Sequence, residues 1–439
     1  GTALGLNAGL GNLGVSLVQF VVPVVITAWS SVIMGLSPTA QELKTLMINY
    51  GANTPTVRGA GPYTFSAFLG PLQADFGASR GSVSLVFSLA GFLYFGLGVL
   101  SGPLADRWGA RPLAVFGMIV MGAGLAAAGV ARSLTEVYVA YGLGVGIGVG
   151  CAYVPALGAV QRWFVRRRGL ASGLAVSGIG VGTLVMPPLA SCLIAAFGWR
   201  ETYLILGGIA VVIGGGLAML IENDPGRRGL APDGDLLTAE VQAAQAAGSS
   251  LREAVRSRRF IGLYVACLIG SFGLFVPFVH LVPFALDHGL RASSAVLLLG
   301  IIGVGSTAGR FLLGGIADRM GRGPALLAMF AGMALTLLVW AFSTTLWGLG
   351  AFAFGYGVFY GGFVAVLPAL VMDYFGGRNV GAIIGVLYTS VAFGTLIGPA
   401  AAGFAFDATH SYTAPILAGV CVNIIAAVVL AMTSRRGTA

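Results

Sequence analysis

Apolar runs of about 20 residues return along this chain at intervals so short that little but a bundle of membrane-crossing helices can accommodate them. They fall at about 14–36, 81–103, 113–131, 137–160, 169–195 and 201–221, then at about 260–286, 292–316, 324–343, 346–372, 380–404 and 411–432. Each is near the roughly 20 residues a helix needs to cross the hydrocarbon core. Only 9% of residues are charged and 57% are hydrophobic, against about 25% charged in an ordinary soluble domain. The 70 glycines suit close helix approach within a bilayer. The fold class expected is an all-α polytopic membrane protein of two six-helix halves, with an atypical first helix.

Net charge is +9, which raises the question of a nucleic-acid partner. The basic residues answer it by their placement. Seventeen lie in one alternate set of loops plus the C-terminal tail, and only Arg80, Arg132, Arg200 and Arg291 lie in the other. This asymmetry is the positive-inside rule, which puts the Arg-rich loops and the C-terminus in the cytoplasm. No nucleic-acid face is expected. Cys151, Cys192, Cys267 and Cys421 lie in apolar runs without metal-ligand spacing and read as small buried hydrophobes. No metal or other cofactor is expected, and no catalytic constellation marks an enzyme.

Two features break the apolar pattern. Arg310 is a lone cation within a long apolar run, GSTAGRFLL. A fixed charge there costs several kcal/mol, turns inward and marks a functional site by default; the alternative is an arginine snorkelling to the interface. The second feature is a repeated turn, GPLADRWGAR at 102–111 and GGIADRMGR at 314–322. It recurs between spans 2 and 3 of each half. Parallel six-helix repeats are a transporter architecture, with substrate near the midplane between them. In each turn the Asp can accept backbone N–H groups at a neighbouring helix N-terminus, and the Arg can pair with an acid or a helix C-terminus. Asp106, Arg107 and Arg111, with Asp318, Arg319 and Arg322, are therefore expected gating residues.

These turns resemble the loop signature of the major facilitator superfamily of secondary transporters. Residues 161–182 (QRWFVRRRGLASGLAVSGIGVG) and 373–399 (DYFGGRNVGAIIGVLYTSVAFGTLIGP) resemble its monocarboxylate transporter and oxalate/formate antiporter branch. The resemblance covers about residues 62–432. It implies a substrate-binding arginine at Arg310, ahead of the second loop motif. It also implies pocket aromatics at Tyr356 and Tyr360, one helical turn apart in GYGVFYGG, and at Tyr153 and Tyr63 by alignment on the motifs. His280, in FVPFVHLVPFA, is similar in context to related bacterial carriers; it is either an anion or proton site or a buried neutral histidine.

Two departures bear on substrate. Oxalate carriers of the branch have a lysine where Val391 follows Tyr388–Thr389–Ser390, so one arginine favours a monoanion. Proton-coupled animal relatives have an aspartate where this chain has Ser306.

The organisation expected is an atypical segment at 1–61, an N-terminal transmembrane half at 62–221, a cytoplasmic connector at 222–259, a C-terminal half at 260–432 and a cytoplasmic tail at 433–439. Residues 1–16 (GTALGLNAGLGNLGVS) resemble the fifth-span signature of nitrate/nitrite porters. A fusion junction near 40–60 and a divergent first helix are the two readings of that segment. The expected function is alternating-access transport of a small monocarboxylate of lactate or pyruvate type, with a proton as a second partner. Its rivals are an oxalate/formate or nitrate exchanger and a non-transporting sensor of the same fold. The protein is expected to be a monomer in the cell inner membrane.

Overall fold

A computed structural model describes residues 63–164, 189–190, 192–223 and 248–434. In chain order the helices are α1 (Tyr63–Phe76), α2 (Arg80–Gly96), α3 (Gly98–Trp108), α4 (Ala110–Gly129) and α5 (Leu134–Trp163), then α6 (Cys192–Ala218) and α7 (Leu251–Arg256). They continue as α8 (Arg258–Leu274), α9 (Val276–Asp287), α10 (Ala292–Met320), α11 (Arg322–Ala341), α12 (Leu346–Phe375), α13 (Val380–Thr409) and α14 (Thr413–Ser434).

Ten stretches among the described residues are long and apolar enough to cross a membrane. They coincide with ten of the twelve runs read from the sequence. The run at 14–36 and most of the one at 169–195 lie outside the described residues, as does the proposed junction near 40–60. Within α6, Gly198 takes φ +84°, a left-handed turn at the point that separates the fifth run from the sixth.

The bundle is apolar outside as well as inside, as lipid requires. Leu100, Phe116, Leu312 and Leu335 are exposed on helix faces. Cys192 and Cys421 are exposed on such faces too, and Cys151 is half-buried, so only Cys267 is the small buried hydrophobe the sequence suggested for all four. Cysteine is apolar enough to face acyl chains, so an apolar run does not tell which side it occupies.

The two repeated turns share one backbone geometry. Gly109 and Gly321 lie at φ +92° and +93°, each as the single residue between a helix ending in ADR-x and the next helix. A side chain strains this region, so the glycine is what allows so abrupt a reversal.

Helix contacts rely on backbone-to-backbone approach. α10 and α12 pack extensively; a Cβ on Gly309 would stand 2.0 Å from the Val358 carbonyl oxygen, and one on Gly361 2.0 Å from that of Ser306. α3 and α13, from opposite halves, meet in the same way. There a Cβ on Gly385 would lie 1.9 Å from the Gly98 carbonyl oxygen, and one on Gly102 2.2 Å from that of Gly381. Small residues four apart on both helices make such crossings. The largest apolar cluster draws Phe95, Tyr153, Val154 and Leu157 of the first half together with α8–α14 of the second.

Candidate functional site

Arg310 is wholly buried. The tight α10–α12 crossing sets it beside Tyr360, with the guanidinium carbon 5.9 Å from the ring centroid. A planar, weakly hydrated cation over an aromatic face is a favourable arrangement, worth about 2 kcal/mol when desolvated. Its burial excludes the snorkelling alternative.

From Tyr360 an aromatic chain runs across the boundary between the halves. Tyr360 lies 5.0 Å from Phe278 and 6.2 Å from Phe275, centroid to centroid, and Phe275 lies 5.7 Å from Phe95 of α2. Phe95 in turn meets Tyr153 of α5 at 6.3 Å and Tyr388 of α13 at 5.7 Å, while Tyr94 meets Tyr153 at 5.0 Å. Tyr153 and Tyr388 approach from opposite halves to 5.9 Å. Such edge and tilted contacts each add about 0.5–1.5 kcal/mol beyond area.

Of the residues expected to bind substrate, the structure thus gathers Arg310, Tyr360, Tyr356 and Tyr153. Tyr356 stacks parallel to Tyr360 at 6.5 Å, but its hydroxyl donates to the Leu274 carbonyl at 2.6 Å. That carbonyl lies where the α8–α9 span is interrupted at Phe275, so the phenol satisfies a group the broken helix leaves open. Tyr63 opens α1, and its side chain is outside the described residues.

His280 sits in a different group. Its Nε2 is 2.8 Å from the Pro399 carbonyl oxygen and its Nδ1 3.3 Å from the Tyr412 hydroxyl. A carbonyl only accepts, so Nε2 carries the hydrogen; in the neutral ring Nδ1 then accepts from Tyr412. Around this pair stand Phe284, Phe406 and, against Phe284, Trp340.

At the Arg-rich end, the first turn joins the halves. One Asp106 oxygen pairs with Arg162 of α5, and the other accepts the Ala382 backbone N–H, in the first turn of α13, at 3.0 Å. This is the helix N-terminal role its residue type suggested. Arg162 also donates to the Asn223 side chain at 3.1 Å, and Arg111 Nε donates to the Ile221 carbonyl at 2.9 Å. In the second turn Arg322 bonds Asp318 at 2.6 Å and pairs with Asp373 at the end of α12. Arg107 and Arg319 are exposed.

Sequence reasoning missed Arg162 and Asp373 as partners; each closes a span beside an Arg-rich loop, which is the signal available. It also missed Phe95, Phe275 and Tyr388, which nothing distinguishes from the chain's many other aromatics.

The family model of the Major Facilitator Superfamily matches residues 56–356 and 304–438. Monocarboxylate transporter 11 of Mus musculus is 34% identical over 340 residues, covering 73% of this chain and 71% of that protein. The chain belongs to the major facilitator superfamily, in its monocarboxylate transporter branch. Monocarboxylate transporter 12-B of Danio rerio is 30% identical, over 80% of this chain and 78% of that one. Among solved structures, the proton:xylose symporter XylE bound to 6-bromo-6-deoxy-D-glucose superposes with TM-score 0.68 at 14% identity, covering 95% of this chain and 94% of that one. The E. coli fucose:proton symporter FucP does so at 0.62 and 16%, covering 96% and 98%. At such identities these two speak for the facilitator fold alone. The chain is thus a multi-pass membrane protein of a transporter family.

Proposed function

We propose that the chain carries a small monocarboxylate, of lactate or pyruvate type, across the cell inner membrane by alternating access, with its Arg-rich loops and C-terminus in the cytoplasm. The observation that carries this reading is Arg310, a buried planar cation where aromatic side chains of both halves converge. A guanidinium offers two parallel N–H donors to one carboxylate, while the surrounding rings suit a short apolar tail. The relatives named monocarboxylate transporters support the same substrate class. With Val391 at the place of the oxalate carriers' lysine, a dianion lacks its second cation.

In this reading Arg310 binds the carboxylate, Tyr360 holds the guanidinium by its ring, and Tyr153 contributes from the opposite half. Asp106, with Arg162 and the Ala382 N–H, closes the cytoplasmic side in one state and releases it in the other. Asp318, Arg322 and Asp373 brace the matching turn. The working unit consists of the halves at 62–221 and 260–432, joined by the connector at 222–259. His280 is a titratable tether between α9, α13 and Tyr412. On gaining a proton at Nδ1 it keeps both contacts, because the Tyr412 oxygen can turn from donor to acceptor.

The test is uptake of labelled lactate, formate, oxalate and nitrate into proteoliposomes, with and without a pH gradient. Saturable lactate uptake is expected, with little oxalate uptake. Arg310→Gln should weaken lactate affinity by about 30-fold or more, from the at least 2 kcal/mol that a buried charge pair loses with one partner. Unchanged lactate uptake in that variant, correctly inserted, overturns the assignment.

A further inference from the structure

The segment just before α8 is built as a strap across the end of α12. Gly248 and Gly376 form an isolated antiparallel bridge, and the Ser249 N–H donates to the Phe375 carbonyl at 2.8 Å. Asn379 Nδ2 reaches back to the Ser249 carbonyl at 3.4 Å. Helix α7 follows, started by a reciprocal capping box between Ser250 and Glu253. Ala254 is buried, and Leu251 and Val255 pack on the large apolar cluster. The apolar face of α7 is therefore spent on the protein, not on lipid.

Its opposite face carries two arginines and Glu253, whose carboxylate is bonded back to the Ser250 N–H. Arg252 and Arg256 are exposed and four residues apart, so they project from one side of the helix. Arg258, also exposed, opens α8 one turn before Ile261, which is 50% exposed on a membrane-crossing helix. An arginine one turn beyond a lipid-facing isoleucine stands at headgroup level. Arg259 beside it is turned onto Tyr374, its guanidinium carbon 5.6 Å from the ring. The strap thus sits at the end of a membrane-crossing helix and carries three exposed guanidinium groups. A juxtamembrane cluster of this kind gains about 1 kcal/mol per arginine near an anionic leaflet.

The strap also touches the gate. The loop it bridges, at 376–379, leads directly into α13, whose Ala382 N–H is held by Asp106.

We propose that Arg252, Arg256 and Arg258 bind the phosphate headgroups of anionic phospholipids, and that bound lipid holds the strap on the 376–379 loop and so favours the closed Asp106–Ala382 contact. The second clause rests on reading that contact as a gate; the first does not.

The binding clause is tested on the detergent-purified chain by counting retained lipids in native mass spectrometry. Phosphatidylglycerol should be retained in preference to phosphatidylcholine. Retention should weaken about fivefold for each arginine changed to glutamine, the equivalent of about 1 kcal/mol. The Arg252→Gln/Arg256→Gln/Arg258→Gln triple variant should lose the preference, and the corresponding triple lysine variant should keep it. Equal retention of both lipids by the unaltered chain overturns the proposal. So does undiminished phosphatidylglycerol retention by the triple glutamine variant, or its displacement by inorganic phosphate beyond that caused by chloride of equal ionic strength. An unchanged melting temperature in phosphatidylcholine micelles separates loss of lipid from loss of fold. For the gating clause, lactate uptake is compared in phosphatidylcholine vesicles with and without phosphatidylglycerol. A lipid response in the unaltered chain that vanishes in the triple glutamine variant supports it, and equal lipid responses in both overturn it. A chain that carries no lactate in either vesicle refutes the transport reading while the adduct result stands.

Discussion

Asp106 reaches across 276 residues of sequence to accept the backbone N–H of Ala382 at 3.0 Å, with Arg162 held on its other oxygen. One carboxylate thereby ties a turn of the first half to the start of α13 in the second. It does so directly below a crossing where glycines bring the two backbones together.

Removing that acceptor should loosen the Arg-rich end. Asp106→Ala loses a helix cap worth about 1 kcal/mol, which shifts the closed–open balance about fivefold. A Val386→Cys reporter should then react faster with a membrane-impermeant maleimide from the Arg-rich side. Asp106→Asn, which keeps an acceptor, should fall between the two. A labelling rate indifferent to position 106 would falsify the gate assignment.

The α10–α12 crossing predicts a graded packing effect. Gly361→Ala drives a methyl to 2.0 Å from the Ser306 carbonyl oxygen, and overpacking of this kind costs about 1–3 kcal/mol. Its melting temperature should drop clearly in detergent. Gly315→Ala, on the same helix as Arg310 but with nothing within 4 Å of the new methyl, should melt like the unaltered chain. If both variants melt alike, close approach is not what seats Arg310 by Tyr360.

Ring and hydroxyl can be separated at Tyr360. Tyr360→Phe keeps an aromatic face toward Arg310 and should leave lactate affinity within about threefold, whereas Tyr360→Leu forfeits a cation–π contact of about 0.5–2 kcal/mol. Competition of unlabelled lactate against labelled substrate reads both. Equal losses in the two variants would assign the effect to the hydroxyl.

Acid should release the strap before the bundle responds. The Ser250 backbone and side-chain bonds hold the exposed Glu253 carboxyl below its ordinary range, helped by Arg378. A carboxyl depressed on folding contributes stability above its unfolded pKa, about 4.3, and loses that contribution as pH falls through the lower folded value. Protease cleavage at 248–257 should therefore be constant from neutral pH down to about 5 and rise below about 4. Ser250→Ala should cleave readily at neutral pH. Constant cleavage across the whole range sinks the idea.

How much of this was legible beforehand follows from physics of different range. The positions of ten spans among the described residues were readable because lipid imposes a length on every apolar run. Arg310 stood out because a lone cation in such a run demands a reason. The acceptor role of Asp106 was readable from its turn, but its partner was not, since nothing local in Ala382 announces a bond to a residue so remote. Phe95, Phe275 and Tyr388 were invisible for a related reason: apolar rings are common in spans, and only the fold selects those that meet. His280 was read as a candidate for the site, yet its bonds run to Pro399 and Tyr412, outside the aromatic chain that holds Arg310.

The interruption at Phe275 has a mechanical consequence. A continuous helix bends only by stretching its hydrogen-bond ladder, but here the ladder is already cut, and the Leu274 carbonyl rests on the Tyr356 phenol. The upper segment, Val276–Asp287, is therefore jointed to the lower one and not welded to it. The joint itself resists a tilt by only about one hydrogen bond, about 1 kcal/mol; the rest of the resistance lies in the buried packing of the segment and in the His280 contacts with Pro399 and Tyr412. The joint lies against Phe95 and Tyr360, so the pivot touches both the first half and the ring that faces Arg310.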